Sequence, residues 1–95
     1  MMIKVDFSLF QQYISCSSEI SGQIEQLQHD FLEWIYNKQI DHPYWVYKDG
    51  SKFGVNYRAD AFLYWLNRIR FNHTVAELVE AGPDASDQAA KTIWF

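Results

Sequence analysis

The sequence predicts a small α+β protein, a single domain over residues 1–95 in which an antiparallel β-hairpin packs against three to four helices. An Asp-Gly pair lies between two runs rich in aromatic and β-branched residues, which is typical of a hairpin. Elsewhere apolar residues recur at helical spacing, and 95 residues suffice for one hydrophobic core. The hairpin could belong to a three- or four-stranded sheet.

The elements before the hairpin are predicted from the spacing of apolar side chains. Alternation of apolar and polar residues predicts a strand over residues 1–7. From Leu9 the apolar residues recur at helical intervals, which predicts a short helix that ends near Cys16. A longer stripe predicts a helix over 19–38; its members are Ile20, Ile24, Leu27, Phe31, Leu32 and Ile35.

The hairpin is predicted over residues 44–57. Asp49 and Gly50 tolerate the positive φ angles of a type I′ turn, so they are predicted to form a two-residue loop. That loop fixes a register, and the register sorts the side chains onto two faces. The apolar face, predicted to be core, holds Tyr44, Val46, Phe53 and Val55. The mixed face holds Trp45, Tyr47, Lys52, Gly54 and Asn56.

Three further elements follow the hairpin. Apolar residues at helical spacing predict a helix over 59–70. The sequence Thr-Val-Ala-Glu at 74–77 matches a capping box, which predicts that a short helix begins there and ends at Gly82-Pro83. The last residues, 92–95, favour a strand.

Composition narrows the class of protein. The chain is 48% hydrophobic and 21% charged, which is typical of a folded chain, and no apolar run is long enough to span a membrane. Cys16 is the single cysteine, so neither an internal disulfide nor a cysteine-based zinc cluster can form. A reducing, cytoplasmic location is therefore expected.

The sequence contains no recognisable catalytic, cofactor-binding or metal-binding pattern, so a protein without enzymatic activity, cofactor or metal is predicted. The three histidines lack the spacing of metal ligands, and Asp41 and His42 are interpreted as solvated loop residues. As an alternative, the chain could be a small enzyme with a site assembled from distant residues such as His73, Asp60 and Arg58.

Charge is distributed unevenly along the chain. Residues 43–71 hold five basic and two acidic side chains, although the whole chain has a net charge of -4. Basic and aromatic residues interleave over 44–70, a combination that binders of single-stranded nucleic acid use. This is a second alternative function, and the isoelectric point near 5.1 argues against it, so nucleic acid is not the expected partner.

By elimination, the predicted function is to bind another protein. Small acidic chains without enzyme motifs are often inhibitors, immunity proteins, antitoxins or phage anti-defence proteins. The partner-binding residues are predicted on the mixed hairpin face and in the basic segment: Trp45, Tyr47, Lys52, Arg68 and Arg70. Self-association into a homo-oligomer is a further alternative, through a hairpin edge or through the strand at 92–95.

Overall fold

The chain folds into a small α+β structure, as the sequence predicts. The computed structural model describes residues 1–80, 82 and 85–95. In chain order the elements are β1 (Met2–Asp6), β2 (Gln11–Cys16), α1 (Ser18–Gly22), α2 (Ile24–Ile35), β3 (Trp45–Lys48), β4 (Ser51–Val55), α3 (Ala59–Tyr64), a π-helix (Trp65–Arg70), β5 (Ala76–Val79), α4 (Ala85–Gln88) and β6 (Lys91–Trp94).

The strands form two separate sheets. Four of them make a mixed sheet in the order β5-β2-β1-β6, in which β6 is parallel to β1 and the other pairs are antiparallel. Within the part of the chain that the structure describes, the hairpin strands β3 and β4 pair only with each other. A four-stranded sheet is therefore present, but the hairpin is not part of it.

The core lies between the four-stranded sheet and the helices. Alternate strand residues point to the same face of a sheet, and Ile3, Val5, Ile14 and Ile93 are buried there. The helices bury an apolar stripe against them: Ile24, Leu27, Phe31, Ile35, Phe62 and Leu66. Phe31 contacts the rings of Phe62 and Trp65 edge to face, at 5.3 and 6.0 Å between centroids. Much of the aromatic content is thus core.

The predicted helix that ends near Cys16 is wrong, because this segment is strand β2. Asp6 accepts a hydrogen bond from the backbone N–H of Ser8 at 2.7 Å, and Ser8 has a φ of 74°, so the chain turns sharply there. β2 then returns alongside β1, with Ile14 opposite Ile3. Pairing with β1 on one side and with β5 on the other overrides the short helical spacing from which the helix was predicted.

The helix predicted to begin at Val75 and to end at Gly82-Pro83 is also wrong, because Ala76–Val79 forms edge strand β5. The side chain of Asn67 accepts from the backbone N–H groups of Val75 and Ala76, at 2.8 and 3.2 Å, and donates to the carbonyl of Ala76. This amide holds the segment extended where β5 begins. Pro83, the predicted end of the helix, lies outside the described residues.

The two longer helices are found where they are predicted, but each is interrupted. Helix 19–38 is divided at Gln23 into α1 and α2 and ends at Ile35, and Ser17 is its N-cap. Helix 59–70 changes to a π-helix at Trp65. Strands β1 and β6 confirm the predictions for both ends of the chain. No helix in the described part of the chain has the length and apolarity needed to cross a membrane.

Candidate functional site

The two-residue turn of the hairpin is found where it is predicted. Asp49 and Gly50 have φ angles of 53° and 77° and connect β3 to β4. Next to the turn, the pairs Lys48–Ser51 and Tyr47–Lys52 follow the predicted register. The residue types at the turn are therefore sufficient to place the end of the hairpin.

Beyond Tyr47 the predicted register is wrong, because a β-bulge shifts it by one residue. Val46 lies opposite Gly54 rather than Phe53, and Trp45 lies opposite Val55. Phe53 is the extra residue, without a direct partner across the strands. Gly54 lacks a side chain and often marks a bulge within a strand, so the sequence held a signal for this irregularity.

The burial of the hairpin side chains differs from the prediction on both faces. Val46 and Phe53, predicted to be core, are 42% and 68% exposed, whereas Trp45 is only 8% exposed. Tyr44 and Val55, from the same predicted core face, are half-buried against the core. Trp45 is thus part of the protein interior, and Val46 and Phe53 are exposed residues that sequence reasoning missed.

The hairpin base is fixed to the loop that precedes it. The indole Nε1 of Trp45 donates to the carbonyl of Ile40 at 2.7 Å. Lys52 lies 5.3 Å over the Trp45 ring, donates to the carbonyls of Lys38 and Ile40, and forms an ion pair with Asp41. Its hydrogen bond and its charge lower the pKa of the Asp41 carboxyl. The ammonium group of Lys52 therefore has its hydrogen-bond acceptors and its counter-ion within the protein.

His42 completes this anchoring. It is buried between the rings of Trp34 and Trp45, at 4.7 and 4.8 Å between centroids, so its interpretation as a solvated residue is wrong. Its Nδ1 accepts from the backbone N–H of Tyr44, and its Nε2 therefore donates to the carbonyl of Ile35. Both ring nitrogens are satisfied, which defines a structural histidine.

The far end of the hairpin, the tip, consists of Val46, Tyr47, Lys48 and Phe53 with the turn between them. Tyr47 is 56% exposed, and the Lys48 ammonium lies 5.2 Å from the centroid of the Phe53 ring. Among the residues that the structure describes, no carboxylate pairs with Lys48. The tip therefore combines exposed apolar side chains with a cation whose charge is unpaired.

The two predicted arginines lie on another element. Arg68 and Arg70 are exposed on the π-helix, and Arg70 lies over the ring of Phe71 at 4.6 Å. Within the described residues, no hydrogen bond, ion pair or ring contact joins either arginine to the hairpin. Of the five predicted partner-binding residues, the structure thus brings together Trp45, Tyr47 and Lys52, of which Tyr47 is the exposed one.

Other candidate chemistry lacks a converging set of side chains. Among the described residues, no group of three His, Cys, Asp or Glu side chains is placed to hold a metal ion. His73 binds the carbonyl of Phe71, and no described contact links it to Arg58 or Asp60. Cys16 lines an open groove of about 360 Å³, and burial raises the pKa of its thiol, which disfavours the reactive thiolate.

Three of the basic side chains in 44–70 lie over aromatic rings of the same chain. Lys48 covers Phe53, Lys52 covers the buried Trp45, and Arg58 lies 4.8 Å over Phe10. A ring face that carries a cation from its own chain is closed to a base, since bases stack on open aromatic faces. These three rings each have one face covered, whereas Tyr47 and Tyr64 are exposed and carry no cation among the described contacts.

Comparisons with known proteins give no relative: no family model, no curated protein sequence and no solved structure matches this chain. The hairpin contacts and exposures are therefore the basis for a functional proposal.

Proposed function

We propose that this protein is a small non-catalytic module that binds another protein through the tip of its β3–β4 hairpin. The observation that supports the proposal is the contrast in exposure along one short hairpin. Tyr47 and Phe53 are 56% and 68% exposed, within a few residues of an indole that is almost fully buried. A tip of this kind offers aromatic side chains to a partner from a fixed base.

The energetics of exposed rings support this use. An aromatic side chain buries roughly 150–250 Å² when it is fully covered, and burial of apolar surface contributes about 25 cal/mol per Å². The contacts of Trp45, His42 and Lys52 hold the base in one position, so less conformational entropy is lost when a partner binds. Two exposed rings on a hairpin with a fixed base can therefore contribute several kcal/mol to the free energy of binding.

The biological role we propose is antagonism or neutralisation of the partner. An inhibitor, an immunity protein, an antitoxin or a phage anti-defence protein needs a binding surface and no catalytic machinery. The small size, the net charge of -4 and the single cysteine agree with such a protein acting in the cytoplasm. The choice among these roles depends on the identity of the partner.

Differential capture tests the proposal. The purified wild-type chain, the variant Tyr47→Ala/Phe53→Ala and the control Trp94→Ala are immobilised, exposed to lysate of the source cell and compared by quantitative mass spectrometry. Trp94 is a matched control because its side chain is 65% exposed, close to that of Phe53, but lies on β6 in the other sheet. We expect a protein that wild type and Trp94→Ala retain and that the tip variant loses at least tenfold.

The melting temperatures of the three chains separate binding from folding. The substituted side chains are exposed, so we expect the tip variant to melt within a few degrees of wild type. A protein captured equally by wild type and tip variant, or lost only with Trp94→Ala, would place the binding surface elsewhere and refute the proposal.

A further inference from the structure

The tip presents apolar side chains on both of its faces. Successive strand residues point to opposite faces, so Tyr47 points away from the side of Val46 and Lys48. Phe53 lies on the latter side, since the Lys48 ammonium is over its ring. A flat partner surface would cover one ring and leave the other in water, whereas a groove would cover both.

The size of the tip also favours a concave partner. Its two rings and Val46 expose on the order of 300 Å² of apolar surface, by the usual areas of such side chains. A specific interface buries about 800 Å² on each partner. A hairpin that enters a groove supplies more of this area than a flat contact, because the turn and both strands are then covered as well.

The charge of the tip defines the rim of that groove. Lys52 at the base has Asp41 and two carbonyls as partners, whereas Lys48 has only the ring of Phe53 among the described contacts. Burial of an ammonium group at an apolar interface is unfavourable unless a carboxylate pairs with it, because a buried unpaired charge loses its hydration. The partner is therefore expected to supply an acidic group there.

Resting on the proposed function, we infer that the hairpin tip inserts into an apolar groove of a protein partner, with Tyr47 and Phe53 on opposite walls and a partner carboxylate at Lys48. A second copy of this chain is a poorer occupant. Two tips in contact would bury less than the usual area and would bring two Lys48 ammonium groups into one interface.

Photo-crosslinking tests this inference with full-length chains that carry p-benzoylphenylalanine at position 47, 53 or 94. Each is irradiated in lysate of the source cell, and the crosslinked peptides are sequenced. We expect positions 47 and 53 to crosslink to different segments of one partner protein that face each other across a groove. Position 94 serves as the control and should give no crosslink to that protein.

Charge reversal tests the acidic rim. Lys48→Glu in the position-53 chain is expected to lower the crosslink yield about tenfold, because a close charge pair is replaced by repulsion. Lys48→Arg should retain the yield. Lys4→Glu is the matched control, since it makes the same charge change on β1 in the other sheet, and it should leave the yield unchanged.

The outcomes separate the inference from the proposed function. Crosslinks from only one tip position, crosslinks to a second copy of this chain, or a yield that Lys48→Glu leaves unchanged would overturn the inference. In the first and last of these, crosslinking at the tip would still support a protein-binding hairpin. A partner crosslinked from position 94 and from neither tip position would overturn both.

Discussion

Two ring–lysine pairs occur on the same hairpin, one at its base and one at its tip. Lys52 lies 5.3 Å over Trp45 and Lys48 lies 5.2 Å over Phe53, so the local interaction is nearly the same. At the base, the indole and the ammonium also bind backbone carbonyls, and Asp41 pairs with the charge. At the tip these additional partners are missing from the described contacts. Similar side chains thus stabilise the fold in one place and are exposed at the surface in the other.

The largest expected difference between base and tip is in stability. Trp45→Ala removes a buried indole and leaves the carbonyl of Ile40 with one partner fewer, so we expect the free energy of unfolding to fall by about 3–5 kcal/mol. Phe53→Ala removes an exposed ring and should change it by about 0.5 kcal/mol or less. Urea denaturation followed by circular dichroism measures both variants.

Equal effects of the two substitutions would contradict the division into base and tip. Phe71→Ala is a useful third variant, because Phe71 is half-buried against the core and carries Arg70 over its ring. Its effect should lie between the other two. A Trp45→Ala protein as stable as wild type would mean that the base is not fixed by the indole.

The sequence predicts those parts of the fold that depend on neighbouring residues. The alternation in β1 and the Asp49-Gly50 turn are local features, and both predictions are confirmed. β2 and β5 depend instead on pairing with each other, far apart along the chain, and β5 also on the side chain of Asn67, so their short helical signals were misleading. Helix capping and spacing rules do not include such distant contacts.

The candidate site is predicted only in part, for a related reason. The hairpin and the exposed Tyr47 follow from residue types at the turn, but one extra residue in β4 changes which residues pair across the strands beyond it. Gly54 indicates that a bulge is possible, yet the position of the bulge depends on how Trp45 pairs with Val55. Trp45 is buried and Phe53 is exposed, which is the reverse of the prediction.

The turn provides a smaller test of how the tip is held. Gly50 has a φ of 77°, which is unfavourable for residues with a side chain, so Gly50→Ala should lower the free energy of unfolding by about 1 kcal/mol. Gly54→Ala is the matched control. A Cβ at position 54 would meet no atom within 4 Å, and we expect a change within about 0.5 kcal/mol. Urea denaturation of both variants decides the matter, and a larger loss from Gly54→Ala would imply that the bulge, rather than the turn, requires a glycine.

Loss of the Asp41–Lys52 ion pair at the base is expected to change the free energy of unfolding least of these substitutions. This change should depend on pH, which distinguishes the ion pair from the other contacts of the base. The pKa of Asp41 is lowered by its hydrogen bond to Lys52 and then by the charge of Lys52. A carboxyl with a lowered pKa in the folded state stabilises the fold above its ordinary value of 3.8, and this contribution is lost as the pH falls through the folded pKa. Asp41→Asn should therefore be less stable than wild type at neutral pH, and the difference should vanish in strong acid.

Lys48→Met, at the tip, leaves the Asp41 pair intact, so its difference from wild type should not vary over the same acid range. Urea denaturation along a pH series compares the two variants with wild type, and a pH-independent Asp41→Asn difference would remove this ion pair from the contacts that fix the base.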